Sequence, residues 1–252
     1  MTTAITLARL RDLRLGGMAD ALARQLEQVG TYDALPFLER LGLLVEQECL
    51  EREHRKQERL VRQARFKLRA TVQDIDYQHP RNLKQAQIAR LAQGEWIDRA
   101  QNLLITGPCG SGKTYLACAL GHNACLQGYS ARYYRLSRLL LELTQAKADG
   151  SYQKSLTQIA RTQLLLIDDW GLEQLTAAQR NDLMEIMDDR HGTKSTVMIS
   201  QLPTDQWYAA IGDNTLADAI LDRLMHNAHR LPLKGESMRK ILGELTEGEH
   251  LG

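Results

Sequence analysis

The chain has 252 residues, of which 43% are hydrophobic and 25% are charged, and its formal net charge is +1. These values are ordinary for a soluble globular protein, and the length is enough for a large core domain with a smaller domain attached. A net charge this close to zero excludes nucleic-acid binding driven by the charge of the whole molecule, so any such binding must rest on local basic patches.

Cysteine usage indicates a reducing compartment, and the hydropathy pattern argues against a signal peptide and a membrane helix. The four cysteines include no C-x-x-C pair, which argues against a zinc site or a disulfide framework. Charged side chains interrupt the first 15 residues, which lack the apolar core of a signal peptide. No stretch approaches the roughly 18 consecutive apolar residues of a membrane helix. We therefore expect a cytoplasmic protein without a membrane partner.

The first part of the chain, residues 3–68, has the periodicity of helices, with leucine and methionine recurring at spacings of three and four. Residues 51–69 continue a long predicted helix and carry eight basic side chains against three acidic ones. Such a run is either a solvated helix face or a contact with a phosphate backbone, and the sequence leaves both open. We expect a helical domain over residues 1–69 and a second domain over residues 70–252.

A strand that leads into a phosphate loop is predicted next. The apolar run from Asn102 to Ile105 precedes a stretch that completes G-x-x-x-x-G-K-[ST]. Its glycines let backbone N–H groups turn toward phosphate oxygens, and the helix from Lys113 directs its positive dipole end at the same anion. We expect Lys113 to contact the β and γ phosphates of ATP and Thr114 to bind Mg²⁺. The residues expected to hold the nucleotide are Gly107, Pro108, Cys109, Gly110, Ser111, Gly112, Lys113, Thr114 and Tyr115.

Two helices are predicted between the second and third strands, over residues 137–148 and 152–160. A single crossover helix is enough to join neighbouring parallel strands, so the second helix is an addition that needs a purpose.

A pair of acids marks the end of the third strand. The apolar run from Leu164 to Ile167 is followed by Asp168 and Asp169, as in a buried parallel strand whose carboxyl end faces a nucleotide. We expect Asp168 to hold Mg²⁺ and Asp169 to orient or activate the attacking water. Many ATPases with such an acidic pair carry glutamate at the second position, so the assignment of Asp169 as the catalytic base stays open at this point.

Polar residues after the acidic pair complete the candidate catalytic set. The strand predicted over residues 196–199 ends in Ser200 and Gln201, and we expect Gln201 to sense the γ-phosphate, with Ser200 as the alternative. Arg223 and Arg239 follow in predicted helices, the last of which begins at Glu236. An arginine suits the charge that develops on a transferring phosphoryl group, but spacing alone does not separate these two from idle surface arginines.

Several further stretches are specific enough to suggest a family. They are Leu166–Leu172, Ile199–Pro203, Leu216–Leu224, His226–Arg230 and Lys234–Arg239. With the phosphate loop, they make the chain resemble the AAA+ ATPases of the initiator and helicase-loader group, and most closely the IstB-like transposition helpers. The resemblance implies an α/β fold of the AAA+ P-loop NTPase type, with a parallel sheet sandwiched by helices and a small all-α N-terminal domain.

The same resemblance implies roles for particular residues. Arg223 would be an arginine finger that serves a neighbouring subunit, and Arg239 a second sensor. The extra helix, over residues 150–161, would be an initiator-type insertion that faces DNA. The residues expected to contact the DNA backbone there are Lys147, Tyr152 and Lys154.

The function that the resemblance implies is an ATP-dependent DNA-binding helper of an IstA-type transposase. It would oligomerise with ATP on double-stranded DNA with little sequence preference, remodel or bend that DNA, and come apart after hydrolysis. The helical domain would contribute to assembly, partner contact and DNA contact.

Other functions stay open. A DnaC-like loader of a replicative helicase would prefer single strands, although an aromatic content of 5% offers few stacking platforms. A small-molecule or nucleotide kinase would need a second substrate pocket, and a scaffold would bind ATP without cleaving it.

Overall fold

The computed structural model describes residues 3–235 and residue 237. Its contacts divide the chain into two compact units, Met1–Arg59 and Leu60–Gly252. The boundary predicted from the sequence, after residue 69, stays a prediction. In the part of the chain that the structure describes, no helix combines the length and the apolarity needed to cross a membrane.

The first unit is helical, as its periodicity predicts. Its helices are α1 (Thr3–Asp12), α2 (Gly16–Glu27), α3 (Val29–Tyr32) and α4 (Phe37–Ala64), the last of which continues past the unit boundary. Helix α2 approaches α4 closely at Gly17, where a β carbon would lie only 2.9 Å from the carbonyl oxygen of Gln47. The Glu48 carboxylate accepts a hydrogen bond from the backbone N–H of Met18 at 3.2 Å. Helix α4 ends earlier than predicted, because Arg65 adopts a left-handed φ of 53°.

The second unit is built on a five-stranded parallel sheet. Its strands are β1 (Asn102–Thr106), β2 (Ala131–Arg135), β3 (Leu164–Trp170), β4 (Ser195–Ser200) and β5 (Ala228–Pro232), in the spatial order β2-β3-β4-β1-β5. Strands β1 and β4 are buried throughout, which accounts for the apolar runs Leu103–Ile105 and Val197–Ile199 at their centres.

Helices cover both faces of this sheet. They are α5 (Gln85–Ala92), α6 (Glu95–Asp98), α7 (Lys113–Leu126), α8 (Leu136–Ala148), α9 (Tyr152–Arg161), α10 (Ala177–Arg190), α11 (Trp207–Ile211) and α12 (Asn214–Met225). Alternate residues of each strand enter two separate cores, so Leu164 and Leu166 pack with α7 whereas Leu165 and Ile167 pack with α8, α9 and α10. The predicted sheet sandwiched by helices, preceded by a helical region, is confirmed.

The extra helix α9 is fixed firmly to this framework. Its Leu156 and Ile159 are buried in the core beside α8 and α10. The buried guanidinium of Arg190, at the end of α10, donates to the carbonyl oxygens of Ile159 at 2.8 Å and Thr162 at 2.7 Å, and to the hydroxyl of Thr196 at 3.0 Å. The end of α9 is therefore tied to α10 and to β4. The predicted final helix from Glu236, and Arg239 with it, lies outside the described residues.

Candidate active site

The predicted phosphate loop connects β1 to α7, and its glycines have conformations that other residues rarely adopt. Gly110 has a φ of 79° and Gly112, which directly precedes α7, a φ of 86°. At Gly107 a β carbon would lie 2.6 Å from the carbonyl oxygen of Leu233. Both the left-handed backbone conformations and this close approach require glycine, which explains why the motif has glycine at these positions.

The loop borders a cavity of about 530 Å³ at the carboxyl ends of the strands. Such a position is where ligands bind in parallel α/β sheets. Residues predicted from the sequence line it together with others that were not predicted. The predicted ones are Cys109, Gly110, Gly112, Lys113, Thr114, Tyr115, Asp168, Asp169 and Gln201, with the alternative Ser200, and the others include Lys67, Asp74, Asp76, Arg81 and Arg135.

The Lys113 side chain folds back onto its own loop. Its Nζ donates to the carbonyl oxygens of Gly107 and Pro108, each at 2.7 Å. Burial lowers the pKa of this ammonium, while the negative charges near it, those of Asp168 and Asp169 among them, act in the opposite direction. A desolvated cation held by two carbonyl oxygens is poised to interact with a stronger anion such as a phosphate.

Asp168 is held by two hydroxyl groups. Its Oδ2 accepts from Thr114 Oγ1 at 2.8 Å and from the Tyr133 hydroxyl at 2.7 Å, and Lys67 Nζ lies 4.0 Å from the same oxygen. Burial, and then the bond to this carboxylate, raise the pKa of Tyr133, so the phenol stays protonated and continues to donate. The two residues predicted to bind Mg²⁺, Thr114 and Asp168, therefore do meet.

Asp169 occupies an unusual backbone conformation. Its φ is 63°, at the point where the pairing of β3 with β4 becomes irregular between Ile167 and Trp170. Left-handed residues other than glycine cost about 1–3 kcal/mol and are concentrated at functional sites. The side chain is 31% exposed, and its Oδ2 lies 3.5 Å from Nε of Arg135. With this backbone conformation, the Asp169 side chain lines the cavity.

The two sensor candidates differ in how their polar groups are engaged. The buried Ser200 hydroxyl donates to the carbonyl oxygen of Trp170 at 2.8 Å and accepts from the N–H of Leu202 at 3.0 Å. Gln201 is exposed and lines the cavity. The Ser200 hydroxyl is thus used within the fold, whereas the Gln201 side chain faces the cavity, and the sensor role stays a prediction.

Sequence reasoning missed two residues that hold the site in place. Arg81, only 2% exposed, donates to the carbonyl oxygen of Ser111 at 3.2 Å and to that of Asp76 at 2.6 Å, so it ties the connecting segment to the phosphate loop. No sequence signal marks it. Tyr133 lies two residues before the end of β2 and shares a face of that strand with Arg135.

The residues of the loop fit a bound ATP. The Ser111 hydroxyl is buried, and within the described residues it has no hydrogen-bond partner. The backbone around it forms a glycine cradle in which side chains are excluded, and two lysines, Lys67 and Lys113, border the cavity. An oxygen-rich anion would satisfy both the free hydroxyl and the cations.

Other predicted residues do not line this cavity. Arg223 donates from Nε to Asp188 Oδ1 at 2.8 Å and from Nη1 to the carbonyl oxygen of Ala219 at 3.0 Å, and its side chain is 27% exposed. The expected finger is therefore engaged with its own chain.

The expected DNA contacts lie on the α8–α9 pair, and two of them meet a buried acid. Lys147 Nζ lies 2.5 Å from Asp182 Oδ1, and the Tyr152 hydroxyl donates to the same oxygen at 2.7 Å. The Lys147 ammonium also lies 4.9 Å from the centre of the Tyr152 ring. Lys154 is exposed. Of the two lysines, only Lys154 has no ion-pair partner among the described residues. The DNA role of all three residues stays a prediction.

Comparison with known proteins places the chain in a family. A match to the family described as IstB-like ATP binding protein extends over residues 8–243. An insertion sequence ATP-binding protein of Sinorhizobium fredii, y4pL, is 46% identical over 235 residues, which cover 93% of this chain and 96% of that one. The ATP-binding protein named for insertion sequence IS1162 of Pseudomonas fluorescens is 49% identical over 205 residues, or 81% and 88% of the two chains.

Solved structures agree on the fold. The crystal structure of the DnaC helicase loader has a TM-score of 0.55 with 21% identity, and the match covers 66% of this chain and 97% of that one. At this level of identity the likeness concerns the fold alone, which is that of an AAA+ P-loop NTPase. Given the nearly full-length matches and the phosphate loop, the chain belongs to the family of IstB-like ATP binding proteins.

Proposed function

We propose that this protein hydrolyses ATP with Mg²⁺. The observation that carries the proposal is the meeting of the Thr114 hydroxyl and the Asp168 carboxylate, 2.8 Å apart, beside a phosphate loop and a second acid. Thr114 and Asp168 would hold Mg²⁺, and the metal would supply positive charge to the phosphate oxygens as a bond to phosphorus breaks.

The other residues of the cavity have complementary roles in this proposal. Lys113 exchanges the carbonyl oxygens of its loop for phosphate oxygens. Asp169, turned into the cavity by its left-handed backbone, accepts a proton from the attacking water or orients it. Gln201 positions the same water with its amide. Asp169 is the more accessible acid, because Asp168 is occupied by two hydroxyl donors.

Arg223 is proposed to act on the nucleotide of a neighbouring copy. Its guanidinium is bound to Asp188 of its own chain, so it must leave that carboxylate to reach a γ-phosphate elsewhere. Activity would then depend on assembly, and Asp188 would hold the finger until a partner arrives. Arg239 stays in the proposal as a second sensor, and this role rests only on the resemblance of the chain to the family.

The wider role that we propose is that of a helper of an IstA-type transposase. The protein would oligomerise with ATP on double-stranded DNA, remodel or bend it, and disassemble after hydrolysis. The names of the full-length relatives, all tied to insertion sequences, support this role over that of a DnaC-like helicase loader, whose likeness is limited to the fold. The expected site of action is the cytoplasm.

The central test is ATP turnover by the purified protein, measured as phosphate release with and without magnesium and a duplex. Lys113→Ala should weaken ATP binding by about 100-fold or more, because a buried cation is lost from the phosphate site. Arg223→Ala should bind ATP normally but lose about 10³-fold in turnover.

Asp188→Ala is the matched control, because it breaks the same ion pair and keeps the arginine. It should retain turnover. Normal turnover of the Arg223 variant would refute the shared site, and so would a protein that stays monomeric in sedimentation at high concentration with nucleotide, magnesium and duplex present.

A further inference from the structure

A second concave surface lies beside the nucleotide cavity, along the edge strand β2. This basic groove has a volume of about 340 Å³ and is formed by the residues that directly follow α4, by β2 and by the first half of α8. It contains five basic side chains, two tyrosines and a single carboxylate. The lining residues are Arg65, Lys67, Arg132, Tyr133, Tyr134, Arg135, Arg138 and Glu142.

Most of the positive charge in the basic groove is uncompensated. Among the described residues, no carboxylate oxygen lies within 4.0 Å of the guanidinium groups of Arg65, Arg132 or Arg138. Arg135 faces Asp169 at 3.5 Å, on the side of the nucleotide cavity. Like charges that share a groove repel one another, and a polyanion in the groove would remove that repulsion.

The structure maintains these cations at some cost. Arg65 has a φ of 53° directly after the last residue of α4, a position where glycine would be the least strained choice. Arg132 donates from Nη1 to the carbonyl oxygen of Gln63 at 2.9 Å, and its guanidinium lies 5.2 Å from the centre of the Tyr134 ring. The charge of Arg132 is thereby held in place along the edge of the sheet.

We propose that the basic groove binds the phosphodiester backbone of double-stranded DNA. The proposal rests on the proposed function as a DNA-binding ATPase and names the surface that would do the binding. Several arginines along a groove suit successive phosphates, since each guanidinium donates to phosphate oxygens without reading a base. The two tyrosines are engaged by Asp168 and Arg132, so they do not offer the free rings that single strands require.

The basic groove also differs from the contacts expected on the α8–α9 pair. There the charge of Lys147 is already neutralised by Asp182, whereas Arg65 and Arg138 are exposed and unpaired within the described residues. Lys67 and Arg135 line both the basic groove and the nucleotide cavity. A test of the groove alone must therefore change Arg65 and Arg138, which line only the groove.

The experiment measures binding of the full-length protein, with ATP and magnesium, to a labelled duplex by fluorescence anisotropy across a salt series. The groove variant is Arg65→Glu with Arg138→Glu. The charge-matched control combines Lys84→Glu, directly before α5, with Arg90→Glu on α5, both at exposed positions. A third variant, Lys154→Glu with Arg161→Glu, tests the rival surface on α9. A second duplex of unrelated sequence and a single strand serve as further probes.

We expect the groove variant to lose about 10-fold or more in duplex affinity and about two units of the slope of log affinity against log salt. The loss should be equal for both duplexes, the α5 control should stay within twofold of wild type, and ATP binding should be unchanged in all variants. Arg65→Lys with Arg138→Lys, which keeps the charge, should bind nearly as well as wild type.

Three results would overturn the assignment. The first is a groove variant that binds duplex as well as the α5 control. The second is a loss of affinity for the single strand alone. The third is a loss of duplex binding in the α9 variant and not in the groove variant. In each of these cases the groove assignment fails, but the proposed DNA-binding function survives if the wild-type protein binds duplex. A wild-type protein that hydrolyses ATP but binds no DNA would refute the DNA-binding function itself, and the groove assignment with it.

Discussion

Two buried aspartates of this protein have nearly the same surroundings and different proposed roles. Asp168 and Asp182 are each 2% exposed, and each accepts a tyrosine hydroxyl at 2.7 Å, from Tyr133 and Tyr152 respectively. Each also has a lysine nearby. The Lys147 ammonium closes on Asp182 at 2.5 Å, whereas the nearest lysine pairing of Asp168, with Lys67, is 4.0 Å long.

The difference lies in what the remaining side of each carboxylate faces. Asp168 lies two residues before the end of the parallel strand β3 and borders a cavity of about 530 Å³, so a cation can still be added beside it. Asp182 lies within α10, where Lys147 already supplies the opposite charge. Residue type and burial therefore do not distinguish the acid proposed to bind Mg²⁺ from the acid paired with a lysine, whereas their positions in the fold do.

The largest effect is expected for Asp168→Asn. The substitution keeps the shape of the side chain but removes the charge that would attract Mg²⁺, so turnover should fall by about 100-fold or more. Phosphate release at saturating ATP would measure it. Turnover within threefold of wild type would remove the basis for the contrast with Asp182.

Asp182→Asn should instead affect stability. The change leaves Lys147 without its partner, and we expect a loss of about 2 kcal/mol in the free energy of unfolding, moderated because the lysine is 42% exposed. Urea unfolding would measure the loss. Turnover at 25 °C should stay unchanged in this variant, and a large fall in turnover would mean that the two acids are not distinct in function.

Tyr133→Phe should have a smaller effect on catalysis. It removes one of the two hydroxyl donors that orient Asp168, and such an outer partner typically contributes about 10-fold to metal affinity or activity. Turnover measured against magnesium concentration should shift by that amount. Tyr134→Phe, at the next position of β2, is the control and should leave the magnesium dependence unchanged.

The smallest effect is expected for Tyr152→Phe. The hydroxyl lost here supports Asp182, which keeps Lys147, so the free energy of unfolding should fall by about 1 kcal/mol. Turnover and magnesium dependence should match wild type. A magnesium shift equal to that of Tyr133→Phe would contradict the separation of the two clusters.

Much of the fold could be predicted because local pattern and burial agree. The apolar runs at 102–105 and 164–167 lie in strands and the phosphate loop follows β1 as predicted, whereas β3 continues through the acidic pair to Trp170. The bonds that Asp168 makes were harder to predict, since Tyr133 reaches it only because β2 and β3 are neighbours in the sheet. Sequence spacing carries no information on that adjacency.

Contacts between distant residues account for the rest. Lys147 pairs with Asp182, and Arg223 pairs with Asp188. Each pair depends on how α10 packs against α8 or α12, and the periodicity within a single helix does not show which helices pack together. Arg81 was missed for the same reason. Its role follows from the path of the connecting segment under the phosphate loop, which no periodicity describes.

The left-handed backbone at Asp169 restricts how this position can change during evolution. Aspartate, asparagine and glycine tolerate such a conformation better than residues with longer side chains. A glutamate, one methylene longer, would gain reach toward the water but would have to accommodate a φ of 63°. An exchange between the two acids is thus a change of main chain as well as side chain, and lineages that make it should carry compensating replacements near Trp170 and Gly171.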